Sequence, residues 1–388
     1  MAGDDGRAQV QPDEDTLARR RRDLGEDHPD TLAAASNLAV SLRAAGEYQA
    51  ARELGEDTLA RRRRVLGEDH PDTLAAADGL AVSLRAVGGH PGTLTSFPGS
   101  LASSLHRGEQ QAARELGEDT LARRRRVLGE DHPDTLASAS GLAISLRAVG
   151  ERQAARELDE DTLARRRRIL GEDHPDTLAS ADNLAFSLQG VRGQAARELG
   201  EDTLARRRRV LGEDHPDTLA SADNLAFSLQ GVRGQAAREL GEDTLARRRR
   251  VLGEDHPDTL ASASNLVMTL GRVSEEQAAR ELAEDILARR RRVLGEDHPD
   301  TLAAAFYLVS ALFGLGDYHA ARELNDDIIA RRRRLLGDEH PETMMAGAFD
   351  LILRGLDIGG ESPWMGALRE ASKRRQQEAR ELNEDEPG

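Results

Sequence analysis

Apolar positions recur along the chain at three- and four-residue steps, the mark of a helix with one buried face. After Pro29, the residues Leu32, Ala35, Leu38, Ala39, Leu42 and Ala45 share such a stripe, and Gly46 follows the last of them. A second stripe, Ala51, Leu54, Thr58, Leu59, Arg62 and Leu66, runs between Glu47 and Leu66 and stops at Gly67. The pattern predicts two helices joined by a short turn. The ends agree with it. Asp27 and His28 are capping candidates, and Pro29 suits a first helical turn because its missing N–H would find no partner there. Asp30 lies near the positive end of the helix dipole, and glycine closes each helix.

This pattern repeats. The segment LGEDHPDTL recurs with its proline at Pro29, Pro71, Pro133, Pro175, Pro216, Pro257 and Pro299, and as LGDEHPETM at Pro341. Successive prolines are 42, 62, 42, 41, 41, 42 and 42 residues apart, so the unit is 42 residues with one 20-residue insertion, at 89–108, and two single deletions. The deletions fall where QGVRGQ replaces RAAGEYQ in the turn. Fixed spacing of this kind defines a repeat array. One short hairpin cannot bury its own stripe, so the units must stack. The expected fold is all-α, a superhelical α-solenoid of tandem antiparallel hairpins.

The expected boundaries are a disordered N-terminus at 1–12, an array at 13–360 made of a half unit and about eight units, and a capping helix with a polar tail at 361–388. Trp364, Met365 and Leu368 would plug the last core layer. The half unit is a second helix without its first, which should leave Leu17 and Leu24 uncovered and open to self-association. Pro91, Pro98 and the glycines of the insertion argue for disorder there, and no function is assigned to it.

The run NLAxSLRAxGEYQAAREL followed by LARRRRVLGEDHPDTL resembles the tetratricopeptide repeat in its 42-residue, kinesin-light-chain type, over nearly the whole chain. The matching residues are Leu38 and Ala39, Gly46 and Tyr48, Gly316 and Tyr318, and Ala51. Gly55 and its equivalents depart from the family, which carries an aromatic there, and this implies looser packing between units. The resemblance implies a non-enzymatic scaffold with a concave groove for a protein segment, similar to the arrays of actinobacterial regulatory proteins, and no cofactor.

Composition narrows the chemistry. With 3% aromatic residues the core must be Leu and Ala, and small alanines let helices approach to about 8–10 Å. The absence of cysteine excludes disulfides, thiolate zinc sites and thiol nucleophiles. Lys373 is the sole lysine and sits in ASKRRQQ, so there is no P-loop. A net charge of -16 works against phosphate-rich or anionic-membrane partners. The opening MAGDDGRAQVQPDEDT lacks a secretory apolar stretch, and a cytoplasmic location is expected.

Two repeated features invite functional readings. Eight motif histidines, from His28 to His340, lie too far apart to share a metal, whose ligands sit about 2 Å from one ion, and are read as helix caps. Eight Arg tetrads, Arg19–Arg22 through Arg331–Arg334, suggest nucleic acid at first sight. Four consecutive helical positions fan over about 300°, and acids bracket each tetrad. The tetrads therefore read as salt-bridged ridges, with electrostatic nucleic-acid binding as the alternative function and a truncated array without an independent role as a third. Ser, His and Asp recur in one context throughout, so no catalytic residue stands out.

The remaining side of the first helix carries Ala33, Ser36, Asn37, Val40 and Arg43. Along the array the Val40 site reads Val40, Val82, Ile144, Phe186, Phe227, Met268 and Ser310, and the Asn37 site reads Asn37, Gly79, Gly141, Asn183, Asn224, Asn265 and Tyr307. An apolar stripe thus runs beside a broken asparagine ladder. The resemblance implies that such asparagines bond the backbone of a bound extended peptide. Arg43, Arg85 and Arg147 are followed by Gln189 and Gln230 with Asp182 and Asp223 beside them, which implies a partner acidic toward one end. Phe306 and Phe313 are candidate aromatic anchors. The expected function is a protein-interaction scaffold or adaptor, regulatory in role, binding a peptide or helical segment in this groove.

Overall fold

The computed structural model describes residues 5–87, 107–189, 193–338 and 340–357, and every regular element among them is an α-helix. The half unit is α1 (Asp5–Leu24). Unit one is α2 (Pro29–Ala44) and α3 (Tyr48–Leu66), unit two α4 (Pro71–Val87) and α5 (Arg107–Leu128), and unit three α6 (Pro133–Ala148) and α7 (Arg152–Leu170). Unit four is α8 (Pro175–Leu188) and α9 (Gly193–Leu211), unit five α10 (Pro216–Leu229) and α11 (Gly234–Leu252), and unit six α12 (Pro257–Arg272) and α13 (Glu276–Leu294). Unit seven is α14 (Pro299–Leu315) and α15 (Tyr318–Leu336), and α16 (Pro341–Asp357) opens unit eight. We call the first helix of each unit A and the second B.

Each A helix starts the same way. The motif histidine is the N-cap, and its Nδ1 accepts from the backbone N–H two residues on, at 3.2 Å for His28 and His215 and 3.1 Å for His174. The glycine before it makes the turn: Gly67 sits at φ 89 and ψ 167, and a Cβ added there would meet nothing within 4 Å. That backbone region is essentially closed to other residues, so conformation rather than crowding fixes glycine in every LGED or LGDE turn.

Each A helix from α2 to α14 is wedged between two B helices, and α16 packs on α15. Leu17 of α1, Ala34, Ala35, Leu38 and Leu42 of α2, and Ala51 of α3 form one buried cluster, and the grouping recurs down the array. In the last units larger side chains take over, with Ile286, Phe306, Val309, Ile328 and Phe349 in a single cluster. Successive A helices also pack backbone to backbone from α2 to α14, whereas successive B helices lie farther apart and meet through long side chains, as Arg52 does with Glu109 at 3.5 Å and Arg249 with Asp285 at 3.7 Å. The A helices therefore follow the shorter arc and line the concave wall.

Three expectations need correction. Residues 5–12 are helical, not disordered: Gln9 and Gln11 donate one turn ahead to Asp13 and Asp15, and Val10 packs on the first cluster. Leu17 is buried, because the apolar side of a B helix faces the A helix that follows it; only Leu24 is exposed. Packing at Gly55 is close, not loose. A Cβ there would lie 3.3 Å from Leu80 Cδ1, and Gly200 and Gly241 meet Leu225 and Leu266 at 3.2 Å. Glycine admits the leucine of the next unit onto the helix backbone. Positions 89–106 of the insertion and the capping segment at 361–388 lie outside the described residues, while Arg107 and Gly108 begin α5.

Candidate protein-binding groove

The wall facing the groove is built from two positions of each A helix. Val40 is 54% exposed, Val82 40%, Ile144 39% and Phe186 41%, so four successive units present a large apolar side chain to solvent. Phe227 and Met268 continue the line half-buried. The Phe186 and Phe227 rings stack with centroids 6.4 Å apart and planes 19° apart. Beside this stripe Asn37 and Asn224 are exposed and Asn183 and Asn265 half-exposed. Gly79 and Gly141 hold the same site with open space where a side chain would be.

Other candidate residues are not free for a partner. Arg43 donates to Ser83 Oγ at 3.0 Å, Arg85 to Ser145 Oγ at 2.8 Å, and Arg147 to Ser187 Oγ at 2.7 Å. Gln189 and Gln230 continue the series to Ser228 and Thr269. These side chains tie each A helix to the next. Asp182 and Asp223 do likewise, accepting from Ser221 and Ser262 and pairing with Arg207 and Arg248. In unit seven the same two sites hold Phe306 and Phe313, which pack on Phe349 at 5.6 and 5.3 Å between centroids. The reason is angular. Positions 36 and 43 lie within about 20° of each other on a helix and about 40–60° round from position 40, so they turn toward the next unit while 37 and 40 face the groove. Arg43, Arg85, Arg147, Asp182, Asp223, Phe306 and Phe313 are thus seams between units, leaving the Val40 and Asn37 ladders as the open wall.

Electrostatics differ along this wall. Burial brings the Arg85 guanidinium down to about 10, with Asp78 opposing the shift and Arg147 and Arg43 adding to it. Arg43 and Arg85 donate to neutral hydroxyls, whereas Arg147 shares the Asp159 carboxylate at 2.7 Å and lies 5.4 Å over the Phe186 ring. Farther on, burial pushes Asp182 and Asp223 up to about 6 against the pull of Arg207 and Arg248. The wall thus carries Arg43 and Arg85 in units one and two where units four and five carry the neutral Gln189 and Gln230.

From Arg61–Arg64 to Arg331–Arg334 the Arg tetrads are engaged inside the array, and the first tetrad contributes Arg20, which donates to the Asp30 carbonyl at 2.8 Å. The first Arg binds three acids, as Arg61 does with Asp57, Glu26 and Asp27. The second is buried and donates to a backbone carbonyl of the next A helix: Arg62 to Asp72 O at 2.8 Å, Arg207 to Asp217 O at 2.6 Å. The third pairs with the glutamate of its own turn, Arg63 with Glu68 at 3.4 Å, and the fourth with the aspartate of the preceding turn, Arg64 with Asp27 at 2.7 Å. This geometry gives nothing to the nucleic-acid alternative. Sequence reasoning misses the role of the buried second Arg, although its place in the apolar stripe, beside Leu59 and Leu66, marks it.

The chain matches the tetratricopeptide repeat over residues 31–72, 99–134, 135–176, 177–217, 218–258, 259–300 and 301–342, and it belongs to that family. Among solved structures it is similar to the nearly identical TPR-like repeats of a Podosopora anserina protein named for kinesin light chain, at 32% identity over 58% of this chain and 98% of that one, with a TM-score of 0.46. BtubC (BKLC) from P. vanneervenii shares 18% identity over 64% of this chain and 92% of its own, with a TM-score of 0.47. A Rap protein complexed with Competence and Sporulation Factor shares 11% over 84% and 98%, at 0.45. Comparison with curated proteins gives no match. Tetratricopeptide repeats are typically non-catalytic scaffolds that bind protein or peptide partners. No helix among the described residues is long and apolar enough to cross a membrane.

Proposed function

We propose that this protein is a cytoplasmic, regulatory adaptor that holds an extended segment of a partner protein along its concave wall. The observation that carries the reading is the line Val40, Val82, Ile144 and Phe186, large apolar side chains about half exposed on four consecutive A helices. A monomer leaves contiguous apolar surface open mainly where something binds it. Asparagines at Asn37, Asn183, Asn224 and Asn265 can bond any peptide backbone through both amide atoms, so the stripe selects apolar side chains and the ladder orients the chain. The guanidinium charges of Arg43 and Arg85, which donate to serine hydroxyls, favour a segment whose acidic end lies over units one and two.

The test is selection of displayed random peptides on the full-length chain, followed by affinity measurement on a Phe186→Ser/Phe227→Ser variant. Recovered peptides should carry acids at one end and apolar residues toward the other, and the double substitution should weaken them about tenfold or more, equivalent to roughly 1.4 kcal/mol. Peptides that bind both proteins equally would remove the groove from the account.

A further inference from the structure

Antiparallel hairpins put all A-to-B turns on one rim of the ribbon and all Asp-His-Pro turns on the other. Here the two rims meet. A Cβ on Gly46, in the A-to-B turn of unit one, would lie 2.9 Å from His298 Nε2 and 3.0 Å from Pro299 Cδ, in the Asp-His-Pro turn of unit seven. The equivalent turn glycines Gly150 and Gly316 have nothing within 4 Å. The contact also buries what is elsewhere open: the His298 side chain is 2% exposed, against 40% for His28, His70 and His132. Tyr48 faces Asp300 and Glu342 across the gap, and burial, helped by those two acids, pushes its hydroxyl well above the usual phenol range. One unit along, Ala86 and Val87 of unit two share a cavity of about 560 Å³ with Leu335 and Leu336 at the end of unit seven and Glu342 at the start of unit eight. The ribbon therefore completes a turn in six units, about 60° each, and rises by roughly one helix length, about 24–29 Å, so that its rims abut.

We propose that this seam is a latch: units one and two dock on units seven and eight of the same chain, closing the ribbon into a tube, and the latch must open for a partner's segment to enter from the side. The second half rests on the groove reading above; the first does not. With no native cysteine, the variant Gln49→Cys/Leu335→Cys, two positions lining the seam cavity, can be joined by a short bis-maleimide in the full-length chain. Rapid crosslinking within one molecule is expected. Crosslinks that form only between molecules, or not at all, would overturn the latch.

Gly46→Arg added to this pair should lower the intramolecular crosslinking rate about tenfold by overpacking the seam. Gly316→Arg meets the same left-handed backbone strain with open space around it, so it should leave the rate unchanged; equal effects of the two would also overturn the latch. Finally, a selected peptide fused at both ends to folded domains should bind the crosslinked chain at least about tenfold more slowly than the open one. Equal rates would overturn the gating while leaving the groove intact, and loss of peptide binding in both forms would remove the groove reading and the gating together, with the seam still measured by its crosslink.

Discussion

At the scale of single residues, the Arg tetrads show how one residue type divides its labour by angle. The guanidinium that points inward, such as Arg207, caps a carbonyl of the next helix and neutralises a buried carboxylate, Asp182, at 3.2 Å with exposures of 6% and 11%. Two residues on, Arg209 pairs with Asp173 at 2.8 Å with exposures of 64% and 47%. Distance alone would rank the second pair higher. Burial reverses the order: Arg207→Ala should cost about 3–5 kcal/mol by stranding a buried charge, whereas Arg209→Ala should cost less than about 1 kcal/mol. Hydrogen exchange in α9 and α10 resolves the two without assuming that a repeat array unfolds in one step. The buried carboxylates also set a pH dependence. Asp182 and Asp223 titrate near 6 when folded and near 3.9 unfolded, so the native chain binds the extra protons. Their contribution is full below the unfolded value and is lost as pH rises through about 6, by roughly 2–3 kcal/mol each. Exposed carboxylates such as Asp69 and Asp214, lowered chiefly by Arg123 and Arg247, slope the other way. The difference between wild type and Asp182→Asn/Asp223→Asn in unfolding free energy at pH 4 and pH 7 isolates the buried pair, and parallel profiles would reject it.

Helix ends are legible in the sequence because each depends on a few neighbouring residues: histidine before proline caps, glycine stops. Faces are only partly legible. Periodicity separates core from surface, but it cannot tell a surface turned toward a groove from one turned toward the next unit, because that depends on how the units are rotated. Hence Val40 and Phe186 lie where the spacing puts them, while Arg43 and Asp182 do not. The same logic explains Gly55, whose value lies in the leucine of the following unit and not in its own helix. Among the described A-to-B turns without a deletion, that of unit six breaks the local rule. Ser274 occupies the place of Gly46 and Gly316, with φ at 62 where they have 80 and 81. A residue with a Cβ is held there at a cost of about 1–2 kcal/mol. Ser274→Gly should recover about 1 kcal/mol less the flexibility it adds to the unfolded chain, read as slower exchange at the end of α12 and the start of α13. Faster exchange would mean that the serine is stabilised in a way its backbone angle does not reveal.

For the whole molecule, the number of units carries information that no unit carries alone. The all-α solenoid and its 42-residue period can be read directly, since every copy states them; the closure cannot, because it depends on a small rotation summed over six interfaces. The two identical copies beginning at Ser180 and Ser221 make this sum adjustable. Removing residues 180–220 joins Ala179 to Ser221, a junction the native chain already contains. Local packing should survive, because away from the seam each unit touches only its neighbours, and helicity per residue should be unchanged. The phase between units one and seven, however, shifts by about 60°, which carries the Gly46 turn away from His298. The shortened chain should therefore stay folded yet lose the intramolecular 49–335 crosslink, and solution scattering should report an open arc in place of a closed tube. Retention of the crosslink would show that the ends find each other by bending, and that superhelical phase does not set the pairing.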